Sequence, residues 1–126
     1  MIKAGVGRSN NPNATQAGAE ACQEALKGAG GTANLIVVFS TVAYDQKEVV
    51  EGVKSVSKGI LLVGCSDAGE ITTQGPTSKN VAVMALQAPD IDFTVGVGKG
   101  ADKDSFEAGK QAAEAVKEKA KEPISL

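Results

Sequence analysis

Histidine is absent from the 126 residues. That excludes imidazole acid–base chemistry, a Ser–His–Asp or Cys–His pair, and the usual zinc sites. Tryptophan is absent too, and one tyrosine and three phenylalanines are the only aromatics, so the core has to be packed from Val, Ile, Leu and Ala. There is a single arginine, Arg8, and the formal net charge is −2. This balance provides no electrostatic footprint for nucleic acid or an anionic membrane. Two cysteines, Cys22 and Cys65, do not make a disulfide framework. They read as free thiols in a reducing compartment, Cys22 as core and Cys65 either as a buried structural thiol or as a nucleophile. The first ten residues, MIKAGVGRSN, lack an apolar signal-peptide core, and no stretch approaches membrane-spanning length. The expectation is a cytoplasmic setting without a membrane partner. No motif asks for a cofactor or a metal.

The length suits one domain, residues 1–126, with one core. Ile2 to Gly7 reads as a short strand. Asn11 and Pro12 then open a helix, as N-cap and first helical residue, which runs to about Lys27. Its face of Ala14, Ala17, Ala21, Cys22, Ala25 and Ala29 is small enough to lie close on a sheet. Leu35 to Phe39 and Ile60 to Cys65 are unbroken apolar runs, which predict strands buried on both faces. Between them Asp45, with Glu48 three residues on, opens a second helix carrying a Val49, Val50, Val53 and Val56 stripe and stopped by Gly59. The β-α-β-α-β order implies three parallel strands. Val81 to Leu86 and Ile91 to Val97 read as an antiparallel hairpin. Asp102 caps a last helix with a stripe of Phe106, Gly109, Ala113, Val116 and Ala120, ended by Pro123. Ile124 to Leu126 resemble the start of a further strand, and the expectation is a piece of a longer chain. The fold class is therefore α/β, a mixed sheet with a parallel β-α-β-α-β core, an antiparallel hairpin and a C-terminal helix.

In open parallel sheets, ligands bind beyond the carboxyl ends of the strands. Those ends deliver Arg8 and Ser9, then Ser40 and Thr41, then Cys65, Ser66, Asp67, Ala68, Gly69 and Glu70, and these ten residues form the expected ligand site. If the hairpin alternates in direction, Gly96 to Gly100 joins them. Arg8 is a planar fork for a carboxylate or phosphate, or else a surface ion-pair partner. Asp67 and Glu70 suit an ammonium group, or are turn residues and solvated charges. The Ser66 to Gly69 turn can present backbone N–H groups to an anion. Gly5-Val-Gly7 lacks the third glycine of a dinucleotide fingerprint, and Lys99 lacks the Ser or Thr that ends a phosphate loop.

Several of these segments together resemble the N-terminal half of the FIST domain family. The run Val63-Gly64-Cys65-Ser66-Asp67-Ala68-Gly69-Glu70-Ile71 is similar to that family's Gly-Cys-Thr/Ser-x-Ala-Gly-Glu segment. Gly5-Val-Gly7-Arg8-Ser9 with Ala17 to Ala21, the Val38-Phe39-Ser40 strand end, Tyr44-Asp45 ahead of Val49-Val50, and Gly75 before Val81-Ala82-Val83 complete the likeness. The resemblance implies an intracellular sensory domain of signal transduction, not an enzyme, that takes a small ligand such as an amino acid or small carboxylate. It also implies partners in a C-terminal FIST half or a signalling protein. Asn11 to Asn13 stand where the family often has an acidic residue. A Cys65-dependent enzyme and a protein-interaction half-domain are the alternatives.

Overall fold

The structure, a computed structural model, describes residues 1–73, 75–77 and 79–120, with the backbone alone at Glu70, Thr72, Pro76 and Thr77. Pro123 and the expected strand start at Ile124 lie outside the described residues. The chain forms two compact units, Met1–Ile91 and Asp92–Leu126.

The first unit runs β1 (Lys3–Ser9), α1 (Ala14–Gly28), β2 (Leu35–Thr41), α2 (Gln46–Ser57), β3 (Leu61–Asp67), β4 (Glu70–Thr72), β5 (Gly75–Thr77) and β6 (Val81–Gln87). Its main sheet has the order β1-β6-β2-β3, and β4 and β5 form a separate antiparallel pair. β2 and β3 are parallel, whereas β6 is antiparallel to both β1 and β2. The sheet is therefore mixed, as expected of the α/β class, but β1 is not adjacent to β2. The apolar strand VAVMALQ inserts between them and satisfies a ladder on each side. The antiparallel partner expected at Ile91 to Val97 is not a strand: a turn bonds Ile91 N to Ala88 O, and the backbone beyond it is irregular.

Both helices pack on one face of this sheet through very small residues. A Cβ placed on Gly5 or Gly7 would fall 2.0 or 2.1 Å from the carbonyl oxygens of Ala25 and Ala21 in α1. The helices meet each other in the same way, Gly18 against the Val49 carbonyl and Gly52 against that of Thr15. The small-residue face foreseen for α1 is buried at Ala14, Ala17, Gly18, Ala21, Cys22 and Ala25. Its cap is Asn13, not Asn11. Asn13 accepts from Gln16 N, while the Asn11 side chain accepts from Asn13 N and donates to Gln16 and Glu20. Asp45 caps α2 as expected, accepting from Lys47 N and Glu48 N. α2 ends on left-handed Lys58 and Gly59.

β2 and β3 are covered chiefly on one side, whereas the central strand β6 is buried at Val81, Ala82 and Val83, on both faces. In β2, Ile36, Val38 and Ser40 are buried under the helices while Phe39 on the other face is 39% exposed. β3 is an edge strand, with Leu61 to Val63 only half-buried and Gly64 to Ser66 exposed. An apolar run signals burial on two faces only when helices flank both, and here α1 and α2 share a side.

In the second unit α3 (Ser105–Lys119) is capped by Asp104, two residues after the expected Asp102. Its inward face is Ala108, with Ala112 and Val116, which lie against Gly98 and Gly96. Phe106, expected in that stripe, is 82% exposed. Alanines, not the bulky residue, permit the close approach of the glycine-containing segment.

Candidate functional site

The carboxyl ends of β1, β2 and β3 share one rim. Ser9 and Ser40 both register with Val81, Ser40 with Ser66, and Thr41 with Asp67. Arg8 belongs to the neighbouring row, Arg8–Ala82–Phe39–Cys65, on the face opposite the helices. Three strand spacings separate Arg8 from Cys65 along it, about 14 Å between backbones. Asn80, 3% exposed, fills the middle of the rim. Arg8 and the Ser66–Gly69 turn thus occupy opposite edges of the sheet.

Two of the rim's hydroxyls, those of Ser9 and Ser40, are committed to structure. Ser9 donates to Glu20 at 2.5 Å and accepts from Asn11 N. Ser40, 2% exposed, bonds to the Gln46 side-chain oxygen. Gln46 spends its amide protons on the carbonyls of Thr41 and Tyr44, both at 2.9 Å. Thr41 is buried, and its hydroxyl has no partner among the described residues. The Asp67 carboxylate accepts from Gly69 N at 3.1 Å, a turn-forming bond. Ala68 and Gly69 are exposed, and for Glu70 the description stops at its backbone in β4. Tyr44, 6% exposed, ties two loops together by donating to Asn11 O at 2.8 Å, and the Lys79 ammonium lies 5.5 Å from its ring centre.

Hydrogen bonds from Ser9 and Asn11 hold the Glu20 carboxyl below its ordinary pKa. A depressed carboxyl contributes stability above its unfolded pKa and loses it as pH falls through the folded value. Glu20→Gln should therefore flatten the acid limb of the stability curve, read from urea midpoints taken from neutral pH down through the carboxylate range. An unchanged slope would show that the Ser9–Glu20–Asn11 network contributes nothing.

The open space lies elsewhere. A cleft of about 430 Å³ runs between α2 and the free edge of β3. Val38, Val49, Val50 and Leu62 wall it, Gly64, Cys65 and Ser66 form its outer side, and Lys54 carries the one formal charge of its lining. Of the ten residues expected from sequence, Ser40, Cys65 and Ser66 line this cleft; Arg8, Ser9, Thr41, Asp67, Ala68 and Gly69 do not. Val49 and Val50 were legible only as part of a helix stripe. Gly64 was the available signal, since glycine inside a strand marks a close backbone approach. A Cβ there would meet the Val38 carbonyl at 2.0 Å.

The backbone at this edge is also free. Val42 N bonds to Asp67 O, so the peptide groups of the odd residues of β3 face β2. By alternation, the N–H and C=O groups of Leu62, Gly64 and Ser66 point outward. No described strand pairs with that side. Cys65 is exposed and Cys22 buried, and neither is in a disulfide.

These features define a small α/β domain with helices on one sheet face and an apolar cleft at the unpaired edge. The chain belongs to the FIST N domain family, whose model matches residues 34–125, and this is a family of sensory signal-transduction domains. The matched range runs from just before β2 through α3 and leaves β1 and α1 outside it. No curated protein matches the chain. Among solved structures, an empty FtsZ dimer from M. jannaschii is similar at 16% identity with a TM-score of 0.38, over 74% of this chain and 32% of that one. The chain thus spans about a third of that protein's length. Among the described residues no helix is long and apolar enough to cross a membrane, and no cluster of three or more His, Cys, Asp or Glu is placed to hold a metal.

Proposed function

We propose that this chain is a ligand-binding sensory domain whose ligand sits in the cleft between α2 and the edge of β3. The observation that carries the reading is the coincidence of that cleft with unpaired backbone: apolar walls, one cation, and outward peptide groups converge at one place. Ligand sites have this composition, mostly apolar with a few polar groups that fix orientation. Family membership supports a sensory role, and two unpaired thiols support a reducing, cytoplasmic setting. Binding rather than turnover fits the lining, which offers Cys65 neither histidine nor carboxylate as a base.

A thermal-shift screen of small carboxylates, amino acids and short peptides tests this. A ligand at a hundred times its Kd adds about 2.7 kcal/mol of stability. Hits should disappear in Val50→Trp, which fills the cleft, and survive in Arg8→Ala. Loss in Arg8→Ala with retention in Val50→Trp would return the site to the β1 end of the rim, and no hit in any class would overturn the reading.

A further inference from the structure

We infer that the cleft takes a peptide: an extended segment that adds to the free edge of β3 as a fifth strand of the main sheet. The inference rests on the cleft being the ligand site, and it names the class of ligand. β3, Leu-Leu-Val-Gly-Cys-Ser-Asp, contains no lysine, proline or bulge of the kind by which proteins guard an exposed edge, and its one charge, Asp67, stands at the strand's end and accepts from Gly69 N. The opposite edge, β1, is guarded by Lys3 and Arg8. On β3 the outward groups of Leu62, Gly64 and Ser66 give alternating donors and acceptors over a full strand repeat. A free anion would use only the donors, and an apolar small molecule would use neither. An extended backbone uses both.

The cleft is where such a strand would set its side chains. Leu62, Gly64 and Ser66 present their side-chain positions to the helix layer, as do Val38 and Ser40 of β2. Alternate residues of an added strand would point the same way, into the space under Val49 and Val50. Gly64 carries no side chain and lies tight on β2, where a Cβ would meet the Val38 carbonyl at 2.0 Å, so an apolar side chain of the added strand can reach past it toward Val38, Val49 and Val50. α2 runs back along β3 from the Ser66 end to the Leu62 end, which places Lys54 toward Leu62. The complementary segment therefore carries an apolar residue and, two positions away on the same face, an acidic one. A second copy of β3 is a poorer occupant. Paired antiparallel about Gly64, it would offer glycine to the cavity and no acid to Lys54.

The test uses the whole chain and fluorescent threonine heptapeptides with one leucine and one glutamate two positions apart, in both orders. Fluorescence anisotropy should show saturable binding. N-methylation of the peptide amides that face β3 should weaken it about tenfold per bond lost, and Lys54→Met about threefold. Ser66→Pro removes one outward N–H at an edge position that tolerates proline, and should weaken binding while leaving the thermal melt in place. Equal binding by the N-methylated peptide, which needs no change in the protein, would overturn strand addition. If small molecules bind in the cleft and no peptide does, the peptide inference fails and the cleft reading stands. If neither binds, both fail. Self-association abolished by Ser66→Pro, without peptide binding, would make a second copy the occupant and overturn the inference.

Discussion

Gly52→Ala should cost roughly 3 kcal/mol or more, one of the largest losses available from adding a single methyl group to this chain. The added Cβ would lie 2.0 Å from the Thr15 carbonyl oxygen and 2.8 Å from its carbon, both backbone atoms of α1. No rotamer relieves such a contact, so the two helices must move apart. Gly18→Ala should behave alike, since its Cβ would sit 2.3 Å from the Val49 carbonyl. A domain of this size typically has about 5–15 kcal/mol of stability in total, so a large part of it is at stake. Gly109→Ala is the control. Nothing lies within 4 Å of a Cβ there, and the position is mid-helix, so alanine should be neutral or stabilising by up to about 1 kcal/mol. Thermal melts of the three variants decide the matter. A melting point for Gly52→Ala equal to that of the parent would show that α1 and α2 do not cross where described. Because α2 is also one wall of the cleft, the same displacement should reduce ligand binding.

The two thiols should differ in reactivity by on the order of a thousandfold or more. Cys22 is fully enclosed between α1 and the sheet, at 0% exposure, and has to wait for an opening that costs most of the folding free energy. Cys65 is exposed on the edge strand. Ellman's reagent should therefore titrate one thiol promptly and the second only on unfolding, and Cys65→Ser should abolish the prompt phase. Burial also pushes the Cys22 thiol from 9.0 up to about 11. A group whose pKa is raised on folding contributes stability that is complete below its unfolded value and is lost as pH rises through the folded one. Stability should accordingly decline between about pH 9 and about pH 11, and Cys22→Ala should flatten that decline. Two promptly reacting thiols, or a silent Cys65, would contradict the assignment of strand faces.

Local signals in the chain were legible where a single side chain decides the outcome. Asp45 does cap α2, Gly59 does end it with φ of 91°, and the alanine face of α1 is the buried one. What could not be read was any partnership set by distant residues. Val81 to Leu86 announces a strand, but nothing in it says that it lies between β1 and β2. Leu35 to Phe39 and Ile60 to Cys65 look doubly buried because composition records affinity for a core, not the number of helices available to build one. The rim was inferred from strand direction, and that direction holds for β1, β2 and β3. The pleat then separates what direction had joined: Arg8 and Ser9 are consecutive in sequence and lie on opposite faces. Ser40 looked free because its partner, Gln46, gives no sign in sequence of folding back across the Thr41–Tyr44 loop. The cleft escaped notice for the same reason. It arises because β3 has one neighbour instead of two, which is a property of the sheet and not of β3.

The most direct test is a methyl- and amide-resolved NMR titration of the intact chain with the best ligand from the screen. The shifts should gather on the methyls of Val38, Val49, Val50 and Leu62 and on the amides of Gly64 and Ser66, while Arg8, Ser9 and Glu20 stay still. Shifts concentrated at Arg8, Ser9 and Glu20, with the α2–β3 residues unmoved, would place the ligand at the far edge of the sheet and contradict the cleft as the site.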